Sequence, residues 1–282
     1  MAAGALSAAG LSRLRAGGQP PSDLVLSIDP ADPLATPRYS RSADGIDYLL
    51  PTATPVAPTA TPSPTPSPTP TPRATPPLWG SDLLHQVATK GPGTKPLVAL
   101  TVDDGWDHRD EVLEVLKQMK LPLTFFLAGR PIGKDYAFVA RSLDAGCEIA
   151  NHTMDHYDLI SKTPDYIKKD IQDFEDLVKA AAPGATTRPY MRPSGGNLNQ
   201  TVIDAAAEIG YRPILWNVST GDGSASTTPQ QMTDYAVNNA RPGSIILMHF
   251  SARAVVALPM IVAGLRAKGL EPVTLTRLFN DA

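Results

Sequence analysis

The sequence predicts an α/β fold whose parallel sheet closes, or nearly closes, into a barrel. Three observations carry this. From residue 97 onward, about seven short apolar runs alternate with about six amphipathic segments, the pattern of a parallel sheet with crossover helices. The stretch after the proline-rich region is about 200 residues long, enough for one α/β domain. Residues able to do chemistry recur just after the predicted strands, where such barrels carry their sites.

Taken in order, residues 1–50 carry only brief apolar patches, at 24–28 and 46–50. They are expected to be mostly disordered, with a strand or two. Arg13 and Arg15 follow the Ala/Gly-rich start instead of preceding it, the wrong order for a secretory signal. Residues 51–77 are almost entirely Pro, Thr, Ser and Ala, and read as an extended polyproline II linker. Thr/Pro-rich stalks are common on exported proteins. The expected location is therefore extracellular or the cell envelope, with a signal missing through a truncated or misassigned start. Residues 78–95, with Trp79, Leu83, Leu84 and His85, are expected to lead in to the domain and pack against it.

The domain spans 96–282. Its first strand, 97–102, is an apolar run that ends in two aspartates and a glycine. A helix follows over 110–119, with Val112, Leu116 and Met119 on one face, then a strand at 123–127, a helix at 136–143 and a strand at 147–150. The next helix has Thr163 as cap, Pro164 in its first turn, and an apolar stripe of Ile167, Ile171, Phe174 and Val178. Strand 189–192, helix 201–209 and strand 213–218 come next. Thr228-Pro229 opens a helix that ends near Ala240. Strand 244–249, helix 258–268 and strand 272–275 complete the series.

Composition excludes several classes. The net charge is −3 with no run of like charge, which argues against nucleic acid and polybasic membrane contacts. No stretch has the roughly 18–20 apolar residues that span a bilayer. Cys147 is the only cysteine and is expected to be a small buried residue.

Asp103 and Asp104 are adjacent at a strand end, so their side chains diverge, and one can hold a metal while the other faces a substrate. Asn151, His152, Thr153, Met154, Asp155 and His156 follow the third strand. Two histidines four apart share a face if the segment turns helically. With one carboxylate they leave coordination positions open, as in a catalytic zinc site, although other divalent ions suit the same donors. Arg192, Asp222 and His249 follow later strands. Asn151 reads equally as a donor behind the ligands or as a turn residue, Asp222 as a site residue or as a turn between two glycines, and Trp216 as core.

These motifs resemble those of the polysaccharide deacetylase (NodB-homology) family of carbohydrate esterases. TVDDG is similar to that family's TFDDG, with Val102 for the usual Phe; NHTMDH matches its His-Ser/Thr-x-x-His; MRPSGG resembles Arg-Pro-Pro-Tyr-Gly; GSIILMH resembles Leu-x-His. The resemblance covers about 96–278 and implies a distorted (β/α)7-type barrel. It implies that Asp104, His152 and His156 bind a divalent metal, Zn2+ first, with Co2+, Ni2+ or Mn2+ as alternatives. Asp103 would be the general base, His249 the general acid, Arg192 the residue that orients Asp103, and the Gly195 N–H an oxyanion donor. The implied reaction is removal of N-acetyl groups from an acetylated glycan, with a monomer expected. Departures stand at Gly195, where the family has Tyr, and at Ser219 and Gly223, where it has Asp and Trp. Arg192 is therefore expected to find a different partner, with Asp222 the candidate, and Trp106 to replace lost stacking surface. The alternatives are an O-acetyl ester hydrolase and a non-catalytic glycan-binding barrel.

Overall fold

The computed structural model describes residues 80–280, Lys134 excepted, and two short upstream strands, β1 (Val25–Ser27) and β2 (Arg38–Ser40). These two pair antiparallel, Val25 opposite Ser40, and β1 coincides with the first apolar patch. The second patch, the linker at 51–77 and Trp79 lie outside the described residues.

The domain opens with a short helix, α1 (Ser81–Leu84), and its first barrel strand is β3 (Leu97–Asp104), buried along nearly its whole length. β4 (Thr124–Leu127), β5 (Glu148–Asn151), β6 (Tyr190–Met191), β7 (Arg212–Pro213), β8 (Val218–Ser219), β9 (Ile245–His249) and β10 (Glu271–Val273) follow. All pair in parallel, in the order β7-β6-β5-β4-β3-β9-β8, with β10 on the first half of β3. The strand expected at 213–218 is in fact two. Its beginning pairs with β6 and its end with β9, so this one stretch runs from one edge of the sheet to the other. Asn217 fastens the transfer: its Oδ1 accepts from Ile245 N at 2.9 Å, and its own N–H donates to Ile245 O.

The lead-in fills the seam this leaves. Ala88 N–H donates to Pro213 O at 3.0 Å, Leu215 N–H donates to Ala88 O at 2.8 Å, and Gly91 N–H donates to Gly243 O at 2.7 Å. The packing expected of this segment is thus made by Ala88 and backbone, while Leu83 and His85 are exposed. Gly243 sits at φ +84°, and a Cβ there would lie 2.8 Å from both Gly91 O and Gly93 N, so only glycine allows the two segments to touch.

The helices pack outside. They are α2 (Arg109–Met119), α3 (Gly129–Ile132), α4 (Ala137–Asp144), α5 (Pro164–Ala181), α6 (Gln200–Glu208), α7 (Pro229–Asn239), α8 (Ala252–Ala267) and α9 (Leu275–Asn280). Thr163 caps α5 through Tyr166 N–H and Thr228 caps α7, as the sequence predicts, and Gln231 completes a capping box on α7. α8 begins six residues earlier than expected (Ala252 against 258), because Ser251 caps it and the helix runs through Pro259. The last strand is shorter than expected, since Leu275 and Leu278 turn inward on α9 and join the barrel core. None of the described helices is long and apolar enough to cross a membrane.

Period-two alternation sorts the barrel interior into levels. On β3, Leu97 and Ala99 belong to the apolar core, and Thr101 and Asp103 continue the same face upward. On β5 that face carries Glu148, Ala150 and then His152; on β6, Tyr190 and then Arg192. The floor is polar: Glu148 accepts from Thr124 Oγ1 at 2.7 Å and from the Thr276 hydroxyl and N–H. The middle is apolar, and the top carries the candidate site.

Candidate functional site

The site grows from the ends of β3, β5, β6 and β9. Asp103 on β3 is in register with His249 on β9. Residues opposite each other on neighbouring parallel strands point to the same face about 4.8 Å apart, so the ladder itself sets these two side by side. Asp104, the next residue, leaves the strand at φ +79° and turns the other way.

Asp104 Oδ1 lies 2.9 Å from His156 Nε2 and 3.3 Å from His152 Nε2. The segment between the histidines is not helical; Thr153 (φ +71°) and His156 (φ +58°) are both left-handed. The rings converge because the chain doubles back, not because of a helical repeat. Thr153 Oγ1 accepts from His156 N–H at 3.1 Å, and Asp155 N–H donates to Asp170 Oδ1 at 2.8 Å. Asn151 belongs behind the ligands: its Oδ1 accepts from Thr153 N–H and its Nδ2 donates to Ile171 O, both at 2.9 Å.

These donors fit a cation. His152 Nδ1 lies 2.6 Å from Arg192 O, which can only accept, so Nδ1 carries the hydrogen and Nε2 offers its lone pair to Asp104. Two acceptors face each other stably only across a proton or a metal. The ligand atoms of Asp104, His152 and His156 all lie within 4.8 Å of one another. Burial would raise the Asp104 pKa, but where protons bridge these pairs the hydrogen bonds and charges of the two imidazoliums outweigh it and hold the carboxyl well below the usual range.

Arg192 is fully buried. Its Nη1 donates to Asp103 Oδ1 at 2.5 Å and to Thr101 Oγ1 at 2.9 Å, its Nε to Ile214 O, and its Nη2 to Leu215 O. The guanidinium lies 3.9 Å from the Phe126 ring centroid and 5.5 Å from that of Trp216. Burial lowers the Arg192 pKa and Asp103 opposes that. Asp103 is thus fixed at one oxygen, with Oδ2 3.8 Å from His152 Nε2.

Asp222 is not the partner of Arg192. It is buried beside His249, accepting from His249 N–H at 2.6 Å through Oδ2, with Oδ1 3.1 Å from Nδ1. Arg192 finds its partners elsewhere, in Asp103, Thr101 and the carbonyls of Ile214 and Leu215. Arg253 pins the Asp222 loop by donating to the carbonyls of Asp222, Ser224 and Thr227. Burial pulls the His249 pKa down, but the Asp222 hydrogen bond and the Asp103 charge push it up to about 9.

Gly195 lies at φ +65° in the turn Ser194–Gly196, and its N–H makes no hydrogen bond within the described residues. A Cβ on Gly196 would lie 2.8 Å from Trp216, whose ring is half-buried against the core instead of wholly within it. Gly223 is exposed, and a Cβ there would meet nothing within 4 Å. Trp106 is 49 % exposed and stands edge-on to His156, ring centroids 6.3 Å apart. Sequence reasoning missed Thr101 and Arg253. Thr101 is two residues before Asp103 and so on its face, a signal open to inspection; Arg253 gave none.

Comparison with known proteins follows the same residues. The sequence model of the polysaccharide deacetylase family matches residues 90–214, from the seam to just past β7. A peptidoglycan-N-acetylglucosamine deacetylase of Bacillus cereus is 31 % identical over 200 residues, covering 67 % of this chain and 91 % of that protein. A chitooligosaccharide deacetylase of Sinorhizobium fredii is 30 % identical over 204 residues, covering 67 % of this chain and 94 % of its own. Among solved structures, a CE4 family pseudoenzyme from Bacillus anthracis superposes with a TM-score of 0.64 at 26 % identity, over 68 % of each chain.

Proposed function

The chain belongs to the polysaccharide deacetylase family, carbohydrate deacetylases that act on amide bonds, and from that premise we propose that it removes N-acetyl groups from an amino-sugar polysaccharide of the peptidoglycan or chitin kind. The observation that carries this reading is the register of Asp103 with His249 beside the Asp104, His152 and His156 cluster.

Asp104, His152 and His156 would hold a divalent cation, zinc first. When bound, it would polarise the acetyl carbonyl and acidify water. Asp103 takes the proton of the attacking water through its free oxygen, while Arg192 holds the other. The Gly195 N–H is free to donate to the oxyanion. His249 then gives its proton to the departing nitrogen. An amine leaves only when protonated, whereas an ester oxygen needs the acid less. A histidine held protonated up to about pH 9 by Asp222 therefore favours the amide over the ester. Trp106 offers the sugar a stacking face where Gly195 and Gly223 offer none. On this reading the protein acts outside the cell or in its envelope.

Acetate release across acetylated chitin oligomers, peptidoglycan and acetylated xylan, with and without chelator, tests the reading. Expected are free amine on the first two, loss of activity with chelator, and a fall of at least about 100-fold in Asp103→Asn. Activity confined to xylan would move the assignment to an ester hydrolase. No acetate from any of them would leave only a binding barrel.

A further inference from the structure

Glu175 on α5 is fully buried, on the helix that packs behind the ligand loop. Its Oε2 accepts from Thr187 N–H at 2.8 Å, Thr187 Oγ1 at 2.7 Å and Tyr211 OH at 3.1 Å. Its Oε1 accepts from Thr186 Oγ1 at 2.7 Å and Arg188 Nη1 at 2.9 Å, with Lys179 Nζ at 3.2 Å. This many donors around one carboxylate mean an anion; burial pushes its pKa up, and the bonds from Thr187, Thr186 and Lys179 bring it down to about 2.

The same hydroxyls face the metal side. Asn151 Nδ2 lies 3.2 Å from Thr187 Oγ1 and 3.4 Å from Tyr211 OH, and Thr187 Oγ1 is 2.7 Å from Tyr211 OH. We propose that Glu175 is a positioning residue for the metal ligands, acting through Thr187 and Tyr211 on Asn151. The argument is one of hydrogen-bond polarity. An anion can only accept, so the single hydroxyl proton of Thr187 points at Glu175 and its lone pairs are left for Asn151. The Asn151 amide then turns its NH2 toward both this network and Ile171 O, and its Oδ1 toward Thr153 N–H. That bond holds Thr153 in its left-handed conformation, and Thr153 Oγ1 in turn receives His156 N–H. Asn151 directly precedes His152, so one fixed amide sets both histidines. A neutral side chain at 175 can donate as well as accept. It lets the hydroxyls reverse and turn their lone pairs away from the NH2, leaving Ile171 O and Thr153 N–H alone to hold the amide.

The inference rests on the metal role of His152 and His156, and its tests read zinc affinity and loop protection apart from deacetylation. In the full chain, Glu175→Gln and Thr187→Val are compared with Thr187→Ser, which keeps the hydroxyl, and with Glu148→Gln, which alters a half-buried carboxylate on the barrel floor. Zinc affinity is measured by competition with a chromophoric chelator, and amide exchange of residues 151–156 in the metal-free protein. Expected for Glu175→Gln and Thr187→Val are zinc binding weaker by about 10-fold or more and faster exchange in that loop. Thr187→Ser stays near the parent, and Glu148→Gln lowers the melting temperature without changing zinc affinity. If Glu175→Gln does not fold, Thr187→Val decides. Folded variants that bind zinc within twofold of the parent with unchanged loop exchange overturn the proposal, as does an equal loss in Thr187→Ser. A parent that binds no zinc sinks the metal reading, and this proposal with it.

Discussion

Asp222 meets His249 at both its backbone N–H and its imidazole, and the two contacts separate structure from titration. The pKa of His249 is raised to about 9 from an ordinary 6.5, so the pair adds stability below pH 6.5 that is lost as pH rises through about 9. Asp222→Asn keeps an acceptor for the N–H and removes the charge. The alkaline limb of kcat/KM is expected to move down by about one unit or more, costing at least about twofold at pH 8 and about tenfold at pH 10. A pH–rate profile with an unmoved limb would rule out His249 as the group it reports. At this scale, the residues legible in the sequence were those whose chemistry is unusual at a strand end: Asp103, Asp104, His152, His156 and His249. The partner of Asp222 was not legible, because the turn at 220–223 that aims it is itself held by Arg253, far along the chain. Thr101 was legible in principle and overlooked, since a threonine in an apolar strand reads as a β-former.

α5 and α8 differ in how openly they announce themselves. The cap, first-turn proline and apolar stripe of α5 are plain in the sequence, but Asp170 and Glu175, which lie outside that stripe, are buried as well. Their partners, Asp155 N–H and the Thr186–Thr187 turn, come from loops that no periodicity reveals. The sequence places the start of α8 at 258, and a proline at 259 stops a helix in most settings. Here the helix continues through it, with Ala254, Ala257, Leu258, Ile261, Val262 and Leu265 all buried, so packing outweighs the lost hydrogen bond. Pro259→Ala restores an N–H donor in mid-helix and is expected to raise stability by about 1–3 kcal/mol, read from the urea midpoint at constant slope. A lower midpoint would mean that the proline ring is itself part of the packing.

Across the whole molecule, the alternation of strands with the six longer helices followed from hydrophobic period, but the short helices α1, α3 and α9 and the way the ring closes did not. A strand that changes neighbours halfway has the same apolar pattern as one that does not, so the seam between β7 and β8 was invisible. Closure depends on a backbone contact at Gly243, and Gly243→Ala brings a Cβ to 2.8 Å from Gly91 O at φ +84°. Its expected effect is a loss of at least about 1–2 kcal/mol, a fall of roughly 2–4 °C in Tm per kcal/mol for a domain of this size, followed by calorimetry. An unchanged Tm would show that the lead-in does not contribute to closure. The register of Asp103 against His249 bears on how such a barrel evolves. Backbone ladder bonds, not the two side chains, keep those positions adjacent. A lineage can therefore silence the chemistry by one conservative replacement, keep a foldable barrel for some other use, and regain the reaction by a single reversion, because the scaffold never lost the address.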